Sequence, residues 1–199
     1  MFKKIILAAA LAATASFAQL SFGVHAGGDL NNVWGDDTDN SESGIGFNFG
    51  GAIKFSLPLL PLTVEANVLA DMRNYEFENG ITDYSVTQWN IDIPVLARFS
   101  PLPIIFIEAG PQFSFNISQS AEDASDDEIK NFDKLLPMNS FEFDLVFGLG
   151  TGIIPFVDVD FRVVLGMTNI YDDIDVPLVG SAEINASNLQ FVLGATYWF

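Results

Sequence analysis

The chain has 199 residues, room for one domain of ordinary size, with 49% apolar residues, 17% charged residues and no cysteine, so there is no disulfide framework, thiolate nucleophile or cysteine metal site. Acids outnumber bases 26 to 8, a net charge of −18, which disfavours nucleic acid as a partner. Where the acids do more than keep loops solvated, they favour divalent cations or basic partners.

Met1 to Lys4 is short and positive, Ile5 to Ala13 is apolar, and Ser16-Phe17-Ala18 forms a small-x-small site before Gln19. This is the layout of a cleavable signal peptide over residues 1–18, with a short buried N-terminal helix as the alternative. Loss of Lys3 and Lys4 leaves six bases against 26 acids in residues 19–199, a net charge of −20. No later run of 18 uncharged apolar residues offers a spanning helix.

From Gln19 onward the dominant period is two. Leu20, Phe22, Val24 and Ala26 alternate with Ser21, Gly23, His25 and Gly27. Ile45, Phe47, Phe49, Ile53 and Phe55 then oppose Gly46, Asn48, Gly50, Ala52 and Lys54, and Leu62 to Met72 alternates with Thr63 to Arg73. Five further segments repeat the pattern at residues 91–99, 105–117, 141–149, 157–167 and 189–199. The apolar face of all eight carries no charge, while the other face carries glycine, asparagine, threonine and every strand charge. About 11 residues rising about 3.3 Å each at a 45° tilt span roughly 25 Å, the height of an outer-membrane apolar band.

Alternation alone leaves the inward face undecided, because a soluble lipocalin-like barrel has the same period. Volume decides it. An eight-stranded barrel holds modest side chains only, and more than forty mostly large apolar groups exceed that space. The glycine-rich face therefore points inward and the Phe-rich face outward, toward lipid. Connections agree: residues 32–44, 74–84, 119–139 and 169–187 are long and polar, whereas 56–61, 100–103 and 153–156 are short and contain proline. The expectation is an all-β fold, an eight-stranded antiparallel transmembrane up-and-down β-barrel over 19–199 behind a cleavable signal peptide, in the bacterial outer membrane. Pro94 and Pro111 each remove a ladder donor, so a bulge is expected at one or both, Gly110-Pro111 first. Such a bulge would invert the facing of residues 112–118.

The ending Leu193-Gly-Ala195-Thr-Tyr197-Trp-Phe199 resembles the C-terminal signature of outer-membrane β-barrels, which implies that Ala195, Tyr197 and Phe199 are read by the barrel-assembly machinery. Trp89-Asn-Ile-Asp-Ile93-Pro94-Val-Leu-Ala-Arg98-Phe99, with Ile107-Glu108-Ala-Gly110-Pro111, resembles the "Ile-Pro-Leu-Leu … Glu-x-Gly-Pro" pairing of the PorT-like, porin-family outer membrane β-barrels. That resemblance implies an eight-stranded barrel and little about activity.

Inward facing brings Lys54, Glu65, Arg98, Glu108, Asp158, Asp160 and Arg162 into the periplasmic half of the barrel. The expectation is a polar network that plugs the interior; a narrow ion or small-solute path is the alternative. His25, the one histidine, reads as a hydrogen-bonding interior residue. No Ser/His/Asp spacing marks an enzyme, and no catalytic residue or cofactor is assigned. The long connections gather Asp36, Asp37, Asp39, Glu42, Glu76, Glu78, Asp83, Glu122, Asp123, Asp126, Asp127, Glu128, Asp133, Asp172, Asp173, Asp175 and Glu183 against Lys130 and Lys134. Neither Asp37 to Ser41 nor Asp123 to Glu128 has the glycine and terminal glutamate of an EF-hand, so no metal site is assigned. Trp34, Tyr75, Phe77, Tyr84 and Tyr171 are expected as interface-belt aromatics or surface contacts. The functional expectation is a plugged barrel acting as a structural, surface-anchoring or binding component, with membrane lipid and an envelope or cell-surface protein as partners. An outer membrane enzyme is the third reading.

Overall fold

The computed structural model describes residues 19–34, 41–57, 60–78, 83–123, 140–169, 174–176, 180–182 and 187–199. Residues 1–18, expected as a signal peptide, and most of the acidic connections lie outside these residues. Among the described residues, period-two segments become the strands β1 (Gln19–Trp34), β2 (Ser41–Leu57), β3 (Leu62–Glu78), β4 (Asp83–Leu102), β5 (Ile105–Asp123), β6 (Phe141–Ile154), β7 (Val157–Asn169) and β10 (Ser187–Trp198). They close a barrel in the order β1-β10-β7-β6-β5-β4-β3-β2, every neighbour antiparallel, as hairpin-linked strands require. The last strand returns to the first, from Gly23↔Trp198 to Trp34↔Ser187, so no edge stays open.

Facing follows the volume argument. Leu20, Phe22, Val24, Phe49, Ile107, Phe147 and Leu193 are exposed on the outside, whereas Glu65, Arg73, Gln88, Asn90 and Asp144 are fully buried within. A Cβ added to Gly110 would strike the carbonyl oxygen of Val95, and one added to Gly50 that of Val68; these glycines let neighbouring strands lie closely against a crowded interior.

Four expectations need correction. Register runs unbroken through both prolines: Ala66↔Val95 and Leu69↔Asp92 flank Pro94 on one side, and Pro94↔Gln112 and Ala97↔Ala109 flank Pro111 on the other. Each proline forgoes ladder partners without inserting a residue. The bulge falls at Ile117 instead, between Trp89↔Ser118 and Asn90↔Asn116, so Gln112 and Ser114 stay inside and Phe113 and Phe115 outside. The expected long connection 74–84 is mostly strand, because β3 and β4 keep pairing up to Glu78↔Asp83. Tyr75 accordingly faces inward, fully buried, and donates to Asn188 Oδ1 at 3.3 Å, so it is neither a belt aromatic nor a surface contact. Finally, the connection 169–187 contains a small hairpin of its own, β8 (Ile174–Val176) paired with β9 (Gly180–Ala182).

Candidate functional site in the barrel interior

Alternation fixes which side chains enter the barrel, and register fixes their height. Lys54 faces Glu65 across β2 and β3, and Arg98 faces Glu108 across β4 and β5. Asp158, Asp160 and Arg162 follow one another at every second position of β7. All seven charges nominated from the sequence meet in one layer near the short hairpins. Arg98 is its hub: Nη2 lies 2.7 Å from Glu65 Oε2 and 3.0 Å from Glu108 Oε2, and Nη1 donates to Asp158 Oδ2 at 2.6 Å. Arg162 Nε donates to Glu108 Oε1 at 2.7 Å and sits 2.8 Å from Asp160 Oδ1, while Nη2 reaches Glu65 Oε1 at 3.3 Å. Three cations against four carboxylates nearly balance, which a low-dielectric interior demands.

Two aromatic residues close this layer toward the short-hairpin mouth. Trp198 Nε1 donates to Asp158 Oδ2 at 2.8 Å, and its ring lies under Lys54 Nζ at 4.0 Å. Arg98 stacks on Phe106 at 3.7 Å from the ring centroid. What remains at the mouth is a cup of about 140 Å³ lined by Lys54, Ser56, Thr63, Arg98, Phe106 and Asp158 among others. His25 is buried, and its Nδ1 lies 2.8 Å from Thr196 Oγ1 on the paired strand.

A second ionic layer lies higher in the barrel and was not nominated from the sequence. Fully buried Arg73 donates to Asp71 Oδ2 at 2.7 Å, to Asp92 Oδ2 at 2.7 Å and to Glu142 Oε2 at 3.0 Å. Gln112 bridges Asp92 at 3.2 Å and Asp144 at 3.3 Å, and Ser114 donates to Asp144 at 3.0 Å. Asp29 accepts from Asn31 at 2.7 Å and from Asn48 at 3.2 Å. The signal was present, since strict parity along β3, β4 and β6 already turns Arg73, Asp92, Glu142 and Asp144 inward.

Between the two layers an apolar patch fills the side of the barrel formed by β4, β6, β7 and β10, while His25 on β1 and Asn67 on β3 keep buried polar side chains on the other side. On β4 the inward positions run Asp92, Pro94, Leu96, Arg98; on β10 they run Gln190, Val192, Gly194. Leu96, Val146, Val164 and Val192, all buried, form one cluster at this height. Beside it a cavity of about 10 Å³, lined by His25, Asn48, Leu69, Asp71, Asp92 and Arg162 among others, matches the room one water occupies.

Comparison with known proteins agrees with this architecture. Residues 15–172 match the family model described as "Outer membrane protein beta-barrel domain". The chain belongs to this outer membrane β-barrel family. Two solved barrels have a similar fold. One is Ail, the attachment invasion locus protein of Yersinia pestis, in complex with the heparin analogue sucrose octasulfate; it has a TM-score of 0.51 and 12% identity, and the match covers 91% of this chain and 99% of that one. The other is Neisserial surface protein A, with a TM-score of 0.54, 15% identity and the same coverage. No curated protein matches. At such identity the two solved structures speak for the fold alone. Family and fold place this outer membrane barrel in the bacterial outer membrane, with its Phe-rich exterior against lipid.

The C-terminal strand of the outer membrane barrel turns Ala195, Tyr197 and Phe199 outward and Thr196 and Trp198 inward. Tyr197 and Phe199 meet edge to face with centroids 5.5 Å apart. Trp34, Phe77, Tyr84 and Tyr171 lie outside the residues whose side chains are described, as do the acidic residues of the long connections.

Proposed function

We propose that the protein is a non-conducting, non-enzymatic outer membrane barrel. Its side-chain plug makes a rigid post that holds the acidic outer loops at the cell surface as a structural or binding component. The observation that carries this reading is the filled interior: two ionic layers, the buried cluster of Leu96, Val146, Val164 and Val192 between them, and residual space of only about 10 Å³ beside it. An ion crossing the interior would have to displace paired carboxylates and guanidiniums and leave buried charges without partners, at a cost of several kcal/mol even after relaxation. The adjoining cavity of about 10 Å³ leaves no room for a hydrated ion. The rival reading, a narrow channel, is separated by planar-bilayer recording. The plugged barrel gives no unitary steps; reproducible steps in the wild type that vanish in Arg98→Ala or Glu108→Gln sink the plug.

The partner is proposed from charge. Ail was solved with a polyanionic heparin analogue, but the outer connections here carry acids almost throughout, which favours basic protein surfaces or cation-bridged glycans. We assign the chain to the PorT-like branch on the motif in β4 and β5, which acquires a physical reading. Glu108 is the ion-pair partner of Arg98, Gly110 leaves space for the Val95 carbonyl, and Pro94 is buried opposite Gln112. Recognition of Ala195, Tyr197 and Phe199 by the assembly machinery belongs to the same proposal, supported by their alternate outward placement on the closing strand.

A further inference from the structure

The apolar belt does not stop where the strands turn. The three short connections, around Leu60, Pro103-Ile104 and Pro155-Phe156, contain no charged residue, and Leu60, Leu102, Ile104, Ile153 and Phe156 are all exposed there. Phe199, 76% exposed, joins the same rim. Turns at an aqueous rim are ordinarily polar, because a contiguous exposed apolar patch marks a surface that something covers.

Their backbone is built for a medium without water. Pro61, Pro101, Pro103 and Pro155 have no N–H to satisfy. The turn carbonyls are taken up by the neighbouring strand round the rim, one step beyond the last ladder pair. Ser100 N–H donates to Pro61 O at 2.8 Å, Gly152 N–H to Ile104 O at 3.1 Å, and Trp198 N–H to Phe156 O at 2.8 Å. Thr151 Oγ1 adds a second bond to Ile104 O at 2.7 Å, and Phe199 N–H donates to Phe22 O at 2.9 Å. A bilayer imposes such internal satisfaction of polar backbone, whereas water does not.

Phe156 adds an independent sign. Its φ of 66° makes it the one non-glycine residue with positive φ among the described residues, at a position glycine would take without steric penalty, and its ring is 70% exposed. A bulky apolar side chain kept outward at a strained turn points to a contact there.

We propose that the short-hairpin rim is immersed in the periplasmic leaflet, with the Phe156 ring at the boundary between headgroups and acyl chains. The barrel then ends inside the membrane and does not present its turns to the periplasm. Continuity selects lipid as the occupant: from the rim upward, outward apolar positions run without a break from Leu62 to Met72 on β3 and from Ile105 to Ile117 on β5. At about 3.3 Å per residue and a tilt near 40°, ten to twelve residues rise roughly 25–30 Å, a full hydrocarbon thickness counted from the turns themselves.

The chain has no cysteine, so single substitutions take one nitroxide label each. Phe156→Cys and Leu60→Cys, in the full barrel reconstituted into phosphatidylcholine–phosphatidylglycerol vesicles, are compared with Ser118→Cys above the belt. Continuous-wave spin-label measurements read collision with oxygen, which concentrates in lipid, and with a water-soluble nickel chelate. At both rim sites oxygen accessibility should exceed chelate accessibility, the inverse of the ratio at residue 118. Rim labels as open to the chelate as residue 118 overturn the proposal, and that is also the outcome for a rim reserved for a periplasmic protein. Leu60→Cys keeps the test decisive if Phe156→Cys does not fold, as judged by circular dichroism. Bilayer conductance, which tests the plug, is independent of this result.

Discussion

Replacing Arg73 by methionine removes the guanidinium bonded to Asp71, Asp92 and Glu142 while keeping most of the volume of its stem. Its three ion pairs measure 2.7, 2.7 and 3.0 Å, and the side chain is wholly buried. Unit charges at about 4 Å attract by about 4 kcal/mol at an effective dielectric of 20, so the gross attraction is on the order of 10 kcal/mol. Desolvation of four ionic groups offsets most of it, and removing one partner of a buried network typically costs ~3–5 kcal/mol because charge is left unpaired. The three carboxyl groups would then be left with Gln88 on Glu142, Gln112 on Asp92 and Gln190 on Asp71 as donors. Reversible urea unfolding in lipid vesicles, followed by tryptophan fluorescence, measures the loss. Arg73→Met should lower stability by ~3–5 kcal/mol, and adding Asp92→Asn should recover ~1–3 kcal/mol of it, since contacting sites couple by that amount. A loss below about 1 kcal/mol would mean that the upper layer is held by hydrogen bonds among neutral carboxyl groups and not by ion pairing, and would refute the reasoning.

Gly110→Val should sharply reduce the folded fraction in refolding assays, by ~1–3 kcal/mol or more, because its Cβ would meet the Val95 carbonyl oxygen. Gly28→Ala, whose Cβ meets nothing within 4 Å, should stay within about 0.5 kcal/mol of wild type in the same assay. His25→Ala breaks the bond to Thr196 and should cost about 1 kcal/mol while leaving the cellular lipid profile unaltered by mass spectrometry; a changed profile would argue for an enzyme. Deleting Phe199 should slow assembly by purified barrel-assembly machinery, measured as the rate of acquiring protease resistance, and an unchanged rate would remove the C-terminal strand from that role. A photo-crosslinker placed in the 119–139 connection of intact cells should capture a defined cell-surface partner; capture at background level counts against the binding proposal.

Strand number, facing and closure were legible because one physical rule, period two with a charge-free face, applies to every strand. The lower ionic layer was legible for the same reason: Lys54, Glu65, Arg98, Glu108, Asp158, Asp160 and Arg162 share parity and lie near hairpins that fix their height. The upper layer was less so. Its members sit about eight to twelve residues from the short turns, next to connections read as loops, and only the observed pairing up to Glu78↔Asp83 shows that β3 continues past Arg73 and Tyr75 with β4 beside it. Proline was over-weighted, since a missing donor does not by itself add a residue to a strand. The bulge at Ile117 carries no comparable mark in the sequence, lying in an Asn-Ile-Ser run without glycine or proline.

The ion-paired interior proposed to block passage also fixes register. Side-chain direction in a strand has a period of two, so a slip of one residue in β7 would turn Asp158, Asp160 and Arg162 toward lipid and Val159, Phe161 and Val163 inward. A basic group on the lipid face near the bilayer midplane costs about 2–4 kcal/mol, and at the same time Arg98 would lose Asp158 and Glu108 would lose Arg162. A slip of two keeps parity but moves each β7 charge up one rung, taking Asp158 from Trp198 and Lys54, and Arg162 from Glu65 and Glu108. An apolar interior would distinguish these alternatives far less sharply, because valine and leucine tolerate neighbours of many kinds. The ionic layers therefore discriminate against wrong strand pairings, and the packed interior that the right pairing closes is the one proposed to deny ions a passage.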